Sequence, residues 1–170
     1  MDSHASMPAE RGSDPCTPGG EIVMLQVEAY QVGIPMPEAG CILTQASIPC
    51  IMPVDAHVQL AMLARDELLP VIDLRRRWNL APNHFPHLAA LVVLTRRLRG
   101  IRIGVLGDRA TRVESLPAEL AGRVGEDPSS QDQAQSLVYL DLTPEGLLNL
   151  DRLLADDILL RAAKRVGAWT

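Results

Sequence analysis

Short apolar segments separated by turn residues run through most of this chain, and this spacing restricts the fold more than any other feature. Examples are EIVMLQV at 21–27, YQVGIPM at 30–36, HVQLAML at 57–63 and HLAALVVLT at 87–95. Apolar segments of this length, bounded by Gly, Pro, Asn or Asp, are typical of β-strands. The pattern therefore predicts a chain that is mainly all-β, with a hairpin turn near residues 28–29.

Further segments extend the same pattern. RDELLPVIDL at 65–74 and IRIGVLGD at 101–108 each predict a strand, although Pro70 cannot donate to a sheet ladder and indicates an edge or a bulge. SLVYLDL at 136–142 and GLLNL at 146–150 flank the residues TPEG. Proline at the second turn position and glycine at the fourth fit a type I turn, so we predict a hairpin here.

One helix is predicted, at the C-terminus, together with two polar segments. Apolar residues keep helical spacing after Asp151, and Asn149 or Asp151 is suited to cap the helix start. Residues 1–20 are rich in Pro, Gly, Ser and charge, so we expect a disordered leader. Residues 122–135 predict an exposed loop. The apolar set of the helix is Leu153, Leu154, Ile158, Ala162 and Val166.

Charge and cysteine content exclude several classes of protein. The net charge of −5 disfavours attraction to nucleic acid or to anionic membranes. No apolar run reaches the roughly 18 residues of a membrane helix, and the N-terminus lacks the apolar region of a secretion signal. Cys16, Cys41 and Cys50 are odd in number and lack metal-ligand spacing, which predicts a cytoplasmic protein, and we expect Cys41 and Cys50 to be buried or half-buried thiols.

The sequence contains no motif for catalysis, so we expect no catalytic residue, cofactor or metal. A G-x-S-x-G nucleophile motif and a phosphate-binding P-loop are both absent. His84 and His87 lie three residues apart, but Pro86 between them disfavours a helical metal site, and exposed loop histidines are the expected outcome. An enzyme assembled from distant residues, around His57, His84 and His87, is a minor alternative.

Two arginine clusters raise the alternative of a nucleic-acid-binding small barrel. They comprise Arg75 to Arg77, and Arg96, Arg97 and Arg99. Such a surface needs aromatic side chains for base stacking, and Trp78 is the only one adjacent to either cluster. We expect these arginines to end strands in solvent or to pair with acidic residues of a partner protein.

The segment LLPVIDLRRRW at 68–78 resembles the signature of the CheW-like domain of chemotaxis coupling proteins. Its residues 69–74 match the family pattern, and Arg65 takes the place of the family's arginine. IVMLQVEAYQVGIPM resembles the family's opening hairpin, LVVLTRRLRGIRIGVLGDRATRVESL its later strand pair, and LLNLDRLL its closing segment. The chain departs from the family pattern at Cys41, which replaces a glutamate, and at Asp66, which replaces a glycine. It therefore resembles a diverged member.

The resemblance implies two packed SH3-like five-stranded β-barrels with a short C-terminal helix. The implied division is a CheW-like domain of two intertwined subdomains at 21–155, followed by a helix and tail at 156–170. The implied function is a non-catalytic cytoplasmic adaptor, without direct membrane insertion or nucleic-acid binding.

Two partners are implied by the same resemblance. They are the regulatory domain of a CheA-type histidine kinase and the cytoplasmic tip of a methyl-accepting chemoreceptor. A specialised array, such as one for pilus motility, is an alternative that the departures at Cys41 and Asp66 suggest. The candidate partner-binding residues are Arg65, Leu63 and Asp66.

Overall fold

The structure is a computed structural model that describes residues 20–114 and 133–169. Within these residues the chain forms mainly strands, with short helices after β6 and near the C-terminus. The strands are β1 Ile22–Val27, β2 Tyr30–Pro35, β3 Ala39–Thr44, β4 Cys50–Asp55, β5 Val58–Met62, β6 Leu68–Asp73, β7 Ala90–Leu98, β8 Ile101–Gly107 and β9 Arg109–Val113. The helices are α1 Leu74–Arg77, α2 Gln133–Asp141, α3 Leu150–Leu154 and α4 Asp157–Trp169.

The strands form two sheets. One has three strands in the order β2-β1-β9, and the other has six in the order β3-β7-β8-β6-β5-β4. All pairings are antiparallel except that of β6 with β8, which are parallel. The prediction of a mainly β chain is therefore confirmed. The two five-stranded barrels are not confirmed, because neither described sheet closes on itself.

The first hairpin forms where the sequence predicts it. β1 pairs with β2 from Ile22↔Pro35 to Val27↔Tyr30, and Glu28 adopts a positive φ of 54° in the turn. Alternate residues of β1 are fully buried, as expected for a strand with one face on a core. The same strand pairs with β9 on its other edge, so β1 is the central strand of its sheet.

The inner strands of the six-stranded sheet are buried on both faces. Val92 of β7 packs in the main core, which the three-stranded sheet and the C-terminal helices share, whereas its neighbour Leu91 packs in a second cluster. This alternation confirms that the continuous apolar run of β7 is a strand covered on both sides. Because the β6–β8 ladder starts at Val71, Pro70 lies just before it and interrupts none of its hydrogen bonds.

Three predictions of local structure are corrected. Residues 133–141 form α2, not a strand, because a short apolar run fits a helix or a strand equally well and tertiary contacts decide between them. The predicted turn forms, with the Gly146 N–H donating to the Thr143 carbonyl at 3.0 Å, but its flanks share only the bridge Leu142↔Leu148. Strands β3 and β4, which surround residues 45–49, were not predicted.

The C-terminal helix is confirmed, but it is divided in two. Asn149 caps α3 by accepting from the Arg152 N–H at 3.1 Å. Asp156 then interrupts the helix and caps α4, accepting from the N–H groups of Ile158 and Leu159 at 3.0 Å each. The predicted leader and most of the loop at 122–135 lie outside the described residues, except that residues 133–135 begin α2. The domain division remains a prediction.

Gly104 tests the packing of the second cluster. A methyl group at this position would lie 2.6 Å from Leu91 Cδ1 and 3.1 Å from Leu69 Cδ2. We expect Gly104→Ala to lower the free energy of unfolding by about 1–3 kcal/mol through overpacking. Urea denaturation measures this change.

Gly167→Ala is the matched control, because nothing lies within 4 Å of the added methyl group. Alanine in this helix should leave stability unchanged or raise it by up to about 1 kcal/mol. Equal stability of the Gly104 variant and the wild type would contradict the close packing of β8 on β6 and β7.

Candidate docking surface

The three candidate partner-binding residues lie in the turn that joins β5 to β6. The Leu63 N–H donates to the Glu67 carbonyl at 2.8 Å, which closes the turn around the single 3-10 turn Ala64–Asp66. Leu63 is half-buried against the second apolar cluster, whereas Arg65 and Asp66 are exposed. Leu63 thus anchors the turn, and Arg65 and Asp66 present a cation and an anion to solvent.

This turn holds two consecutive side-chain-bearing residues in the left-handed region. Arg65 has a φ of 65° and Asp66 a φ of 58°. Each such residue costs roughly 1–2 kcal/mol for most L-amino acids, although aspartate tolerates the region better. The position where the family pattern has glycine therefore does require a positive φ, and this chain places Asp66 there.

Arg75 and Arg77, in the signature segment, form ion pairs with acids of the same chain. This corrects the expectation that they end strands in solvent or pair with a partner protein. The Arg75 guanidinium holds Asp108 through two hydrogen bonds, Nε to Oδ1 at 2.6 Å and Nη2 to Oδ2 at 2.8 Å. Asp108 also accepts from the Glu28 N–H at 2.7 Å. These bonds join the start of α1 to the first hairpin, so Arg75 and Asp108 have structural roles.

Arg77 of α1 binds acids at the end of α2 and at the start of α4. Its guanidinium donates to both oxygens of Asp141, at 2.6 and 2.9 Å, and to Asp156 Oδ2 at 2.6 Å. The Trp78 indole donates to Asp141 Oδ2 at 2.8 Å. His57 Nε2 lies 2.8 Å from Asp156 Oδ2 and 3.4 Å from Arg77 Nη1. The Arg77 side chain is only 13% exposed.

Burial and pairing shift the pKa values of these groups. Burial alone raises the pKa of Asp156, but the Leu159 N–H, the neighbouring His57 ring and the hydrogen bond from Arg77 outweigh it, so the pKa is lowered. For Asp73, burial dominates and raises the pKa, although the carboxylate accepts from the N–H groups of Arg75 and Arg76. The two aspartates are thus stabilised in opposite protonation states relative to water.

A cleft of about 420 Å³ lies beside α1 and β4. Apolar residues such as Ile51, Leu80 and Leu106 form part of its walls, and the carboxylate of Asp73 accepts from the Gln59 amide there at 2.9 Å. Arg75 and Asp108, which also line the cleft, are paired with each other. Among the described lining residues there is no histidine, cysteine, serine or lysine.

The other candidate groups are dispersed. His84 and His87 are exposed in the loop before β7, as predicted, and His57 is bound to Asp156. No group of three metal-ligating side chains occurs within residues 20–114 and 133–169. Cys41 and Cys50 are exposed, which corrects the prediction of buried or half-buried thiols. Cys41 lies on β3 and Cys50 on β4, and these are the two outer strands of the six-stranded sheet. Cys16 lies outside the described residues.

The second arginine cluster is divided. Arg96 donates to Glu38 at 3.0 Å and to Asp151 at 2.5 Å, whereas Arg97 and Arg99 are exposed, as predicted. Sequence reasoning did not find these internal pairs, because Glu38 and Asp151 lie 58 and 55 residues from Arg96.

The fold and the turn together define a small, mainly β domain that presents exposed turns at the ends of its strands. The chain belongs to the CheW-like domain family, whose model matches residues 21–157. A solved structure to which it is similar is the scaffolding protein TtCheW from Thermoanaerobacter tengcongensis. The two share 19% identity with a TM-score of 0.45, over 58% of this chain and 65% of that chain.

Comparison with curated protein sequences finds no match. The described part of the chain contains no helix that is both long and apolar enough to cross a bilayer.

Asp156→Asn tests the electrostatic part of the Arg77 cluster, because asparagine keeps the cap of α4 but loses the charge. Since the folded-state pKa of Asp156 is lowered, its ionised form contributes stability above its ordinary pKa of 3.8, and this is lost as pH falls through the folded-state pKa. We expect the variant to be about 1.5–3 kcal/mol less stable at neutral pH. The difference should shrink as the pH falls below 3.8 and through the folded-state pKa of Asp156.

Urea unfolding across this pH range measures the difference. The exposed neighbour Asp157 supplies the control, since Asp157→Asn should cost less than about 1 kcal/mol at any pH. A deficit for Asp156→Asn that stays constant from neutral to acid pH would show that charge is not its cause.

Proposed function

We propose that this chain is a non-catalytic adaptor that couples chemoreceptors to a CheA-type histidine kinase in a bacterial chemosensory array. The observation that carries the proposal is the match of the CheW-like domain model to residues 21–157, nearly all of the described chain. A scaffold acts by holding partners in a fixed geometry, and this requires rigid exposed turns on a packed framework. In this proposal the chain works in the cytoplasm and reaches the membrane only through receptors.

The distribution of charge supports a docking role. Arg75 and Arg77, next to the signature segment, are used inside the chain, so they are not available to a partner. Arg65 is different, because it is exposed and forms no ion pair with any described residue. Its turn is closed by a backbone hydrogen bond and anchored by Leu63. The backbone that carries the Arg65 side chain is therefore held in place. We propose Arg65, flanked by Leu63 and Asp66, as a contact for the kinase or the receptor.

The proposed geometry gives each partner its own surface. The kinase regulatory domain, which is expected to have a similar fold, contacts one part of the β-framework, and the receptor tip lies in an apolar groove. The cleft beside α1 is a suitable groove, because its charged lining residues are paired and its walls are partly apolar. The two five-stranded barrels remain part of this proposal as the framework of the domain.

Reconstitution tests the proposal as a whole. The kinase and the receptor fragment encoded in the same genome are mixed with and without the full chain, and kinase autophosphorylation and co-sedimentation are measured. We expect the chain to bring the two into one complex and to change kinase activity. Binding to neither partner would refute the proposal. Binding only to the partners of a pilus-motility system would assign the chain to that specialised array.

Arg65→Glu tests the docking contact. Because Arg65 is exposed and without an ion pair in the described structure, we expect the free energy of unfolding to change by no more than about 0.5 kcal/mol. Affinity for the kinase or the receptor fragment should fall by about tenfold, or about 1.4 kcal/mol. Isothermal titration calorimetry measures the affinity, and thermal unfolding measures the stability.

Arg112→Glu is the matched control, because it reverses an exposed arginine on β9 in the other sheet. It should leave both affinities within about twofold of the wild type. A large loss of stability in Arg65→Glu would mark Arg65 as a structural residue, and unchanged affinity for both partners would remove it from the interface.

A further inference from the structure

One end of the six-stranded sheet brings a second turn close to the Arg65 turn. β6 and β8 are adjacent and parallel, so the residues that precede them lie at the same end. Glu67, just before β6, contacts Arg102 of β8 with a distance of 3.4 Å from Arg102 Nε to Glu67 Oε1. The turn between β7 and β8, at Arg99 and Gly100, therefore lies beside the turn that carries Arg65.

Four arginines occupy this end of the sheet, and we call them the arginine surface: Arg65, Arg97, Arg99 and Arg102. Arg65, Arg97 and Arg99 are exposed and form no ion pair with a described residue, and only Arg102 is paired, with Glu67. The chain as a whole has a net charge of −5. The arginine surface is thus a local excess of positive charge on an acidic protein.

Arg97 and Arg102 place two like charges opposite each other in the sheet of the isolated chain. Arg97 and Arg102 are direct partners in the β7–β8 ladder, so their side chains share one face of the sheet. Like charges in this position destabilise a sheet. Both also line a cleft of about 330 Å³, together with Val93 and the exposed Cys41. A carboxylate placed in this cleft would lie between two guanidinium groups.

Arg65 and Arg99 both have a positive φ, a backbone conformation that arginine does not favour. Arg99 and Gly100 have φ values of 52° and 79°, the pattern of a type I′ hairpin turn, whose first position favours asparagine or glycine. Arg65 also has a positive φ, of 65°. Two arginines at one end of the sheet thus occupy conformations that cost most side chains stability, and such strain is typical of functional sites.

We propose that the arginine surface docks an acidic segment of a partner protein, whose carboxylates lie against Arg97, Arg99 and Arg102. This inference rests on the proposed function and extends its docking surface beyond Arg65. A protein segment fits better than a nucleic acid or a membrane, because Asp66 and Glu67 lie within the same surface and would repel a uniform polyanion. No aromatic residue occurs in residues 63–67 or 95–102 to stack on bases.

The test reverses two arginines that the earlier prediction does not touch. The full chain with Arg97→Glu and Arg99→Glu is compared with a control carrying Arg109→Glu and Arg112→Glu, two exposed arginines of β9, so that the net charge is identical. Affinity for the receptor-tip fragment and for the kinase regulatory domain is measured at about 50 and about 300 mM salt. Circular dichroism verifies folding, and Arg97→Gln with Arg99→Gln provides a milder pair.

We expect the glutamate pair to lose about tenfold or more in affinity for at least one of the two fragments at low salt, and to lose much of the salt dependence. The glutamine pair should lose less, and the β9 control should stay within about twofold. If the unmodified chain binds and the glutamate pair binds equally well, the inference is wrong and the proposed function stands.

Binding of the unmodified chain to neither fragment would overturn both the proposed function and this inference. Anionic vesicles containing phosphatidylserine are the remaining probe. If the unmodified chain binds them, the Arg97 and Arg99 substitutions abolish that binding, and the affinity for both protein fragments is unchanged, the surface faces a membrane and the inference is overturned.

Discussion

The buried guanidinium of Arg77 is the interaction on which the arrangement of the helices depends. It bridges Asp141 at the end of α2 and Asp156 at the start of α4, while its backbone belongs to α1, directly after the central strand β6. Removing one of the acids would leave part of the Arg77 charge without compensation in a site that is largely shielded from water. Asp141 also accepts from Trp78 and Asp156 contacts His57, so the sheet, α1, α2 and α4 meet at a single polar cluster.

This cluster changes how the signature segment is interpreted. A run of three arginines beside an apolar strand has the composition of a binding surface, yet the first and third are held by acids of the same chain. The charges that remain free lie at the opposite end of β6, in the turns that carry Arg65 and Arg99. Structural and docking charges are therefore separated along one strand: the end at α1 is tied to the helices, and the end at β5 faces solvent.

Much of the β-framework was predictable, because its signal is local. The β1–β2 hairpin, β6, β7 and β8 follow from apolar segments and turn residues, and the helix cap at Asn149 follows from residue type. The helix at the segment 136–142 was not predictable, since its apolar pattern suits a strand as well as a helix. The contact that holds its end, from Arg77 to Asp141, joins residues 64 positions apart. The exposure of Cys41 and Cys50 depends on which strands form the edges of the sheet, and sequence spacing contains no such information.

The sequence by itself determined that the chain is mainly β, that it resembles CheW-like domains, and that Arg65 takes the place of the family's arginine before the signature strand. These properties depend on neighbouring residues, through strand periodicity, turn chemistry and motif order. Only the tertiary structure decided which arginines are free, that Arg97 and Arg102 face each other, and that the Arg65 and Arg99 turns share one end of the sheet. Such facts depend on sheet order and on ion pairs between residues far apart in the chain. The free energy that selects them comes from burial and charge pairing, which act through space and not along the sequence.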